Sequence, residues 1–438
     1  MQDAAVVTII LLGGMFGLMA LGVSVSVAIG LPSAIALLFL MGPEQGVFTS
    51  AQKIFNGIDS FVLLAIPFFV LAGTVMNQGG IATRLIDLAR VAVGRTPGAL
   101  AQTNVLANML FGTISGSALA GAAAVGSSMA PSQRKDGYDM GFAAAANVAS
   151  APAGMLIPPS NTLIVYSLVS QASVGALFLG GYIPGILWGV ACVVIVWVYA
   201  RKRPELRGTA RPDARTALAV LLRALPSLGL IVVVIGGIVF GVFTATEGAV
   251  IAVLYGTVLS MVYRTISVSD FPKLLLQATR TSSVVVFLIA LSSIMSFAMT
   301  FSGVPRLIGS WMTDFTDSKV VFLLIMALIL LIVGIPLDAT PAVLIFTPIF
   351  LPIAVEYGIH PVHLGIMMVF NMSIAVISPP SAPVLFVGAK VAGVPVEKVI
   401  GRLMPFFISL ILMLLVIQFV PALTLWLPEQ AGLIFPSR

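Results

Sequence analysis

Hydroxyl and amide side chains that sit beside glycine or proline, inside long apolar stretches, are the residues of this sequence best suited to chemistry. Proline removes a backbone donor and clashes with the preceding turn, so carbonyls one turn before Pro158–Pro159 and Pro379–Pro380 are freed. Such carbonyls and neutral hydroxyl oxygens are hard ligands with little net charge, which suits Na⁺ better than a transition metal. Both side-chain oxygens and backbone carbonyls near these glycines and prolines count as candidates. The candidate metal ligands are Ser115, Gly116, Ser117, Pro158, Ser160, Asn161, Gly334, Asp338, Thr340, Ser378 and Ser381.

Asp338 is the one carboxylate that the apolar pattern places at membrane depth. An ionisable residue inside a membrane is a functional-site hypothesis by default, and we assign Asp338 to a second ion site. The alternative is that its carboxylate caps the helix that follows by accepting hydrogen bonds from free backbone amides. Both roles can coexist in one residue.

The helix segments that begin after each bend would present their partly positive N-termini to an anionic substrate group. We place no lysine or arginine at this depth, so helix ends, hydroxyl groups and bound Na⁺ would have to meet the anion. Cation and anion sites would then be adjacent. The candidate substrate-binding residues are Ser117, Asn161, Thr340 and Ser381.

The two proline pairs are copies of one feature, because Pro158 and Pro379 are 221 residues apart. Gly112 and Gly334 keep nearly the same offset, 222 residues. We infer two repeats of one membrane unit, each with a helix broken at a matching position, which is the usual sequence sign of a midplane site in secondary transporters. Packing kinks are the alternative, although a kink rarely needs two prolines with flanking serine in both repeats.

The composition excludes a soluble domain, since 59% of the residues are apolar and 9% are charged,. Cys192 lies in an apolar stretch and is predicted to be a buried packing residue,. His360 and His363 are placed at the interfacial entry of a helix, too far from a midplane serine to serve as its base. No Gly-Lys-Ser/Thr phosphate-binding sequence occurs, so we predict neither an enzyme nor an ATPase,.

The predicted fold is an all-α polytopic membrane protein built from two inverted repeats with re-entrant hairpins and broken helices. Residues 1–200 are the first repeat, 201–216 a basic cytoplasmic linker and 217–438 the second repeat. The special segments are an amphipathic arm at 81–96, a hairpin at 98–132, a broken helix at 139–169, an arm at 303–318, a hairpin at 319–356 and a broken helix at 361–389. The plain spans are predicted near 4–24, 26–42, 58–77, 175–200, 217–242, 246–263, 281–301 and 399–428.

The basic residues predict the orientation of these spans. Five crossings in each repeat, with the N-terminus outside, put eighteen of the 22 lysines and arginines in or beside cytoplasmic segments,. An odd number of crossings makes the second repeat enter the membrane from the opposite side, so the repeats are inverted. We therefore predict that the N-terminus and the C-terminus are both periplasmic.

Five motifs follow one another along essentially the whole chain: Gly112-Thr-Ile-Ser-Gly-Ser117, Gly126-Ser-Ser-Met-Ala-Pro131 with Gly137-Tyr138, Ile157-Pro-Pro-Ser160, Thr246-Glu-Gly-Ala249 and Ser378-Pro-Pro-Ser381. In this order they resemble the large membrane subunit of tripartite ATP-independent periplasmic (TRAP) transporters. The resemblance implies a Na⁺-coupled permease of the bacterial inner membrane that takes up organic acids such as sialic acid or C4-dicarboxylates. It also implies two partners, a small four-helix membrane subunit and a soluble periplasmic substrate-binding protein.

The same resemblance implies an elevator-type ion-transporter architecture, in which hairpins and broken helices slide past a scaffold. Two or more Na⁺ ions would be transported. One departure lies at Ala120-Gly121, where many relatives carry an acidic residue, so the first ion site would depend on neutral oxygens. Mapped by motif, the first ion site falls on Ser115, Ser117, Ser160 and Asn161, and the second on Asp338, Thr340, Ser378 and Ser381.

A self-sufficient Na⁺/dicarboxylate symporter or anion exchanger of similar architecture is the main alternative. Its sites would look alike, and partner dependence separates the two, because a TRAP subunit should be inert without its small subunit and loaded binding protein. A membrane scaffold without transport activity is a further alternative, but it has no use for two broken helices.

Overall fold

The computed structural model describes residues 2–206, 213–379 and 382–435. All regular secondary structure in these ranges is helical, which confirms the predicted all-α class. Residues 207–212 of the predicted linker lie outside the described residues, as do Pro380 and Ser381 of the second proline pair.

The helices of the first repeat are joined by short turns. A π-helical turn, Ile9–Gly13, connects the first two, and a 3-10 turn, Phe61–Leu64, lies between the fourth and the fifth. In order they are α1 (Gln2–Thr8), α2 (Gly14–Ala20), α3 (Val25–Met41), α4 (Pro43–Ile58), α5 (Ala65–Gln78), α6 (Ile81–Val93), α7 (Ala99–Ser115), α8 (Ala118–Lys135), α9 (Met140–Ser150), α10 (Asn161–Ser170) and α11 (Val174–Ala200).

The helices of the second repeat follow a similar order. They are α12 (Ala214–Val239), α13 (Ala245–Val262), α14 (Phe271–Ser302), α15 (Val304–Phe315), α16 (Lys319–Val333), α17 (Ala339–Glu356), α18 (Pro361–Ala375), α19 (Pro383–Ala392), α20 (Val396–Phe419) and α21 (Ala422–Gln430).

Six described helices are long and apolar enough to cross a membrane: α11, α12, α13, α14, α17 and α20,. The α4–α5 pair, bent by 62°, would make a seventh. The remaining apolar helices have 10 to 17 residues, and length alone does not decide whether such helices cross. Five crossings in each repeat therefore stay a prediction.

Two hairpins and two interrupted helices stand out from these spans. Gly116 ends α7 in the left-handed region, at φ +57°, so that α8 can turn straight back,. We call residues 115–117 the first bend, and residues 334–338, between α16 and α17, the second bend. The first break, residues 151–160, separates α9 from α10, and the second break, residues 376–382, separates α18 from α19.

One helix was not predicted and the bounds of two other segments are wrong, each for a physical reason. Helix α4 was not predicted, because it is amphipathic rather than apolar and starts on Pro43 at its first position,. Helix α14 begins at Phe271 rather than near 281, since a capping box of Ser267 and Asp270 starts it before the apolar run,. The last predicted span, 399–428, is two helices that part at Pro421.

The broken helices form the centre of the fold. Residues 141–150 of α9 and 362–375 of α18 are all buried, so these helices pack against protein on every side,. Helices α12 and α20 are apolar and are the least buried of the six spans, as expected of helices that face lipid. His363 is buried against protein, because α21 folds back beside α18 and brings Thr424 Oγ1 to 2.7 Å from its Nδ1.

Candidate ion and substrate site

A cavity of about 450 Å³ lies where the two bends and the two breaks meet α5 and α14. We call it the hairpin cavity. Of the described residues that line it, Asp338 alone has an ionisable side chain. The polar side chains along its wall are Thr74, Asn77, Ser115, Ser117, Asn161, Thr162, Gln277, Thr281, Asp338 and Thr340.

The first bend packs directly onto the first break. A Cβ atom added to Gly116 would lie 2.9 Å from the carbonyl oxygen of Pro159 and 3.4 Å from the backbone nitrogen of Asn161. One turn earlier, Gly112 and Gly154 face each other so closely that a side chain on either would strike the backbone of the other. The candidate ligands of these two segments are therefore held together by backbone packing.

Serine hydroxyl groups start the helices that leave this contact. Ser117 caps α8, and its hydroxyl accepts a hydrogen bond from the N–H of Ala120 at 3.4 Å,. Ser160 caps α10 by accepting from the N–H of Leu163 at 3.4 Å, and it donates to the carbonyl of Met155. The buried hydroxyl of Ser160 is thus occupied in organising the break.

Asp338 has a position in the second bend that fits both of its predicted roles. It caps α17, because its Oδ1 accepts a hydrogen bond from the N–H of Ala339 at 2.8 Å. The side chain is also exposed to the hairpin cavity, and its Oδ2 has no partner among the described residues. One carboxylate oxygen therefore holds the helix while the other is free to meet a ligand.

Four helices begin at the wall of the hairpin cavity. Their first residues, Ala118 of α8, Asn161 of α10, Ala339 of α17 and Pro383 of α19, all line it. Each helix N-terminus carries about half of a positive elementary charge. The cavity thus combines one carboxylate with four converging positive helix ends.

The predicted ligand set divides into residues that line the cavity and residues that lie behind it. Ser378, in the second break, is buried, and its hydroxyl donates to the carbonyl of Ile374 in α18 at 3.0 Å. The residues on the cavity wall are Ser115, Gly116, Ser117, Asn161, Asp338 and Thr340, whereas Pro158, Ser160, Gly334 and Ser378 do not line it. Ser381 lies outside the described residues.

Gly334 and Gly121 are positions of close packing. A side chain on Gly334 would collide with Ala375, so the second bend rests on α18 much as the first bend rests on the first break. A Cβ atom on Gly121 would lie 3.2 Å from the amide oxygen of the buried Asn108. Ala120, by contrast, lines the hairpin cavity. An acidic residue would reach the cavity from position 120 but not from position 121.

Sequence reasoning missed the opposite wall of the cavity. The bends and breaks are faced by Thr74 and Asn77 of α5 and by Gln277 and Thr281 of α14. The sequence predicts plain spans for Thr74, Asn77 and Thr281, and places Gln277 just before a span. Gln78 Nε2 donates to Gln277 Oε1 at 3.1 Å and ties the two helices together. The available signal was the spacing of three or four residues between polar side chains on one helix face.

Comparison with known proteins places this arrangement in a family. The family model described as "Tripartite ATP-independent periplasmic transporter, DctM component" matches residues 12–423. The chain belongs to the DctM family. It is 50% identical over 421 residues, 96% of this chain and 97% of the relative, to the protein named "Uncharacterized protein YgiK" of Salmonella typhimurium. It is 39% identical to the C4-dicarboxylate TRAP transporter large permease protein DctM of Pseudomonas aeruginosa, over 93% of this chain and 95% of the relative.

The fold of this DctM-family chain also resembles that of a solved transporter. The crystal structure of the Alcanivorax borkumensis YdaH transporter aligns with a TM-score of 0.59 and covers 87% of this chain and 89% of that chain. The sequence identity is 16%, so the likeness concerns the fold alone. Together with the helices described above, it confirms the predicted fold class.

Membership in the DctM family makes the chain a multi-pass inner-membrane protein and the large permease of a TRAP transporter. The family's members are transporters rather than enzymes. A large permease of this family implies a small membrane subunit and a periplasmic binding protein as partners.

Proposed function

We propose that this chain couples the inward movement of Na⁺ to the uptake of an organic acid, with both bound in the hairpin cavity. The observation that carries the proposal is the meeting of four helix N-termini and one carboxylate in a single cavity. Such a cavity offers oxygen ligands to a cation and positive helix ends to an anion, without a basic side chain among its described lining residues.

In this proposal the cations bind at the two bends. Ser115, Ser117 and Asn161 supply neutral oxygens on one side, and Asp338 with Thr340 supplies a carboxylate and a hydroxyl on the other. Oxygen donors with one negative charge suit a hard monovalent cation. At least two Na⁺ ions would move with each substrate, one at each bend.

The anion would lie between the helix ends and the bound cations. The N-termini of α8, α10 and α17 point to the same cavity, and their exposed N–H groups can receive a carboxylate,. C4-dicarboxylates are the first substrates to test, because the relative from Pseudomonas aeruginosa carries that name. Other organic acids are further substrates to test, because other members of the family are named for them.

The movement that exposes this site in turn to the two sides would be an elevator. One wall of the hairpin cavity is built from α5 and α14, which pack against each other and against α13 and α3 respectively. The other wall is built from the bends and breaks, and α6 and α15 would be the arms that connect the two groups. Both termini would be periplasmic, and the small four-helix subunit and the binding protein would act from the membrane and the periplasm.

The test is uptake of a panel of radiolabelled organic acids into proteoliposomes, with and without an inward Na⁺ gradient. Each measurement is repeated with and without the small subunit and the loaded binding protein. Uptake that needs Na⁺ and all three proteins supports the proposal. Na⁺-driven uptake by this chain alone would replace it with a self-sufficient symporter, the second candidate.

Asp338→Asn tests the ion role separately from the capping role, since asparagine also caps helices well. We expect uptake to fall about tenfold or more, which corresponds to ~1.4 kcal/mol of lost binding free energy per factor of ten. Glu397→Gln is the matched control, because Glu397 is exposed in the first turn of α20 and away from the hairpin cavity. An Asp338→Asn protein with normal Na⁺-dependent uptake would remove Asp338 from the ion site.

A further inference from the structure

A second cavity, of about 750 Å³, lies along the other half of α14. Its walls are α4, the turn after α4, the end of α10 with the residues that follow it, and the C-terminal half of α14. About half of its lining residues have polar side chains, and Lys53 is the one ionisable side chain among the described lining residues. We call it the lysine cavity.

One face of α14 connects the two cavities. Seven residues on one side of this helix line one cavity or the other. They are spaced three or four residues apart, which places them on the same face of an α-helix,. Both ends of the face are polar and its centre is apolar. From one end to the other the residues are Gln277, Thr281, Val285, Ile289, Ser292, Ser296 and Thr300.

Lys53 brings an unbalanced positive charge into the lysine cavity. Its Nζ lies 4.0 Å from the centroid of the Phe297 ring on the adjacent helix α14, so the cation is held at the cavity wall by the ring,. No described acidic side chain lines the cavity, and Lys53 takes part in no ion pair among the residues that the structure describes. An anion is the natural counter-charge for such a group.

Ser292 supplies an independent sign of a missing ligand. Its side chain is 3% exposed and lines the lysine cavity, and its hydroxyl has no hydrogen-bond partner among the described residues. A buried hydroxyl without a partner costs free energy, so a ligand that accepts its hydrogen bond would be favoured. Asn56 of α4 also lines the cavity and can add a further hydrogen bond.

We propose that the lysine cavity is a second anion site, which receives a carboxylate of the organic acid before the acid reaches the hairpin cavity. Lys53 supplies the charge, and Ser292 supplies a hydroxyl donor. That the acid meets this cavity first rests on the proposed function, because Lys53 is on the periplasmic side in the proposed orientation. The anion selectivity of the cavity does not depend on transport.

The experiment measures that selectivity with a cysteine reporter, Ser296→Cys, in reconstituted chain without a Na⁺ gradient. The native Cys192 is buried, so the parent chain gives the background rate. We compare modification by a negatively charged and a positively charged methanethiosulfonate reagent of similar size. Lys53→Gln should slow the anionic reagent and speed the cationic one, each by about three- to fivefold, as expected for one charge several ångströms away in a wet cavity.

Two further variants control this comparison. Lys53→Arg keeps the charge and should keep the selectivity, which separates electrostatics from misfolding. Lys319→Gln removes a positive charge from an exposed position outside the cavity and should leave both rates unchanged. Equal effects of Lys53→Gln and Lys319→Gln, or no effect of either, would overturn the proposal.

Protection by a carboxylate completes the test. Succinate should slow the labelling of Ser296→Cys more than sodium chloride of the same ionic strength, and this difference should vanish with Lys53→Gln. Equal protection by succinate in both backgrounds would also overturn the proposal. Because labelling needs no uptake, charge-selective labelling in a chain that fails to transport even with the small subunit and the loaded binding protein would sink the proposed function and leave the anion site standing.

Discussion

The bent α4–α5 pair and the straight α14 are the same segment of the two repeats, folded differently. Residues 43–78, shifted by the 221-residue offset, become residues 264–299, which α14 largely covers. The first copy bends by 62° near Ser60, whereas the second runs unbroken for 32 residues. Both copies nevertheless reach the hairpin cavity and the lysine cavity.

The two copies of the duplicated segment line the two cavities in different ways, and this makes the cavities differ in charge. Helix α14 lines both cavities with one face, while the bent copy divides the task, with α4 at the lysine cavity and α5 at the hairpin cavity. Helix α4 is amphipathic and carries Lys53. The position of α14 that corresponds to Lys53 is the buried Leu274. A positive charge therefore lines one cavity and not its counterpart.

A proline in the middle of α14 should have the largest effect, because it would interrupt a helix that runs unbroken for 32 residues. Val284→Pro removes the hydrogen bond that the backbone N–H of residue 284 donates to the carbonyl of Arg280, on an exposed face of the helix,. We expect a loss of about 3 kcal/mol or more in stability, seen as a lower midpoint of thermal unfolding in detergent. Uptake should fall in parallel, because the face that joins the two cavities would be bent.

Phe61→Pro is the matched variant in the bent copy. Phe61 is exposed and is the first residue of a 3-10 turn, where proline is favoured, and the preceding Ser60 is already extended,. This variant should change the unfolding midpoint little. A similar loss of stability in both variants would show that the two copies tolerate a bend equally and would contradict the comparison.

The contact between the bent and straight copies depends on Gly57. A Cβ atom there would collide with the side chain of Ser293 on α14, so the two helices pack closely at this point. Gly57→Ala should cost about 1 to 3 kcal/mol through overpacking, measured as a lower unfolding midpoint. Ser293→Gly, which removes the opposing hydroxyl, should relieve part of this cost in the double variant.

Gly17→Ala provides the control for that substitution. Gly17 is also helical, but a Cβ atom there meets nothing within 4 Å. Replacing it should be neutral or stabilising by up to about 1 kcal/mol, because alanine favours the helix. If Gly57→Ala behaved like Gly17→Ala, the close contact between α4 and α14 would not exist in the membrane.

Local chemistry explains which parts of the fold were predictable. Glycine and proline act on their own backbone, so both bends, both breaks and the pairing of the repeats follow from residues such as Gly116 and Pro158. Helix α4 escaped prediction because a span is recognised by continuous apolar character, and α4 carries Gln52, Lys53 and Asn56 on one face.

The site was predictable only in part, because spacing does not reveal whether a serine hydroxyl faces the cavity or bonds a nearby backbone carbonyl. Ser117 and Asn161 line the hairpin cavity, while Ser160 and Ser378 use their hydroxyls to bond a carbonyl of the preceding segment. The opposite wall, with Asn77 and Thr281, depends on which helices pack across from the bends. That arrangement is tertiary, and no local pattern specifies it.

The smallest effect concerns the hydrogen bond between the side chains of Gln78 and Gln277, which joins the bent and straight copies at the hairpin cavity. Because the pair is exposed, its net contribution should be about 0.5 to 1.5 kcal/mol at most. A double-mutant cycle of Gln78→Leu and Gln277→Leu, read by the unfolding midpoint, isolates the coupling from the separate effects of each leucine. A coupling of a few tenths of a kcal/mol would mean that the copies are held mainly by the Gly57 contact. A coupling well above 1.5 kcal/mol would mean that the polar end of α14 is the stronger link, and would reverse the order of the two contacts.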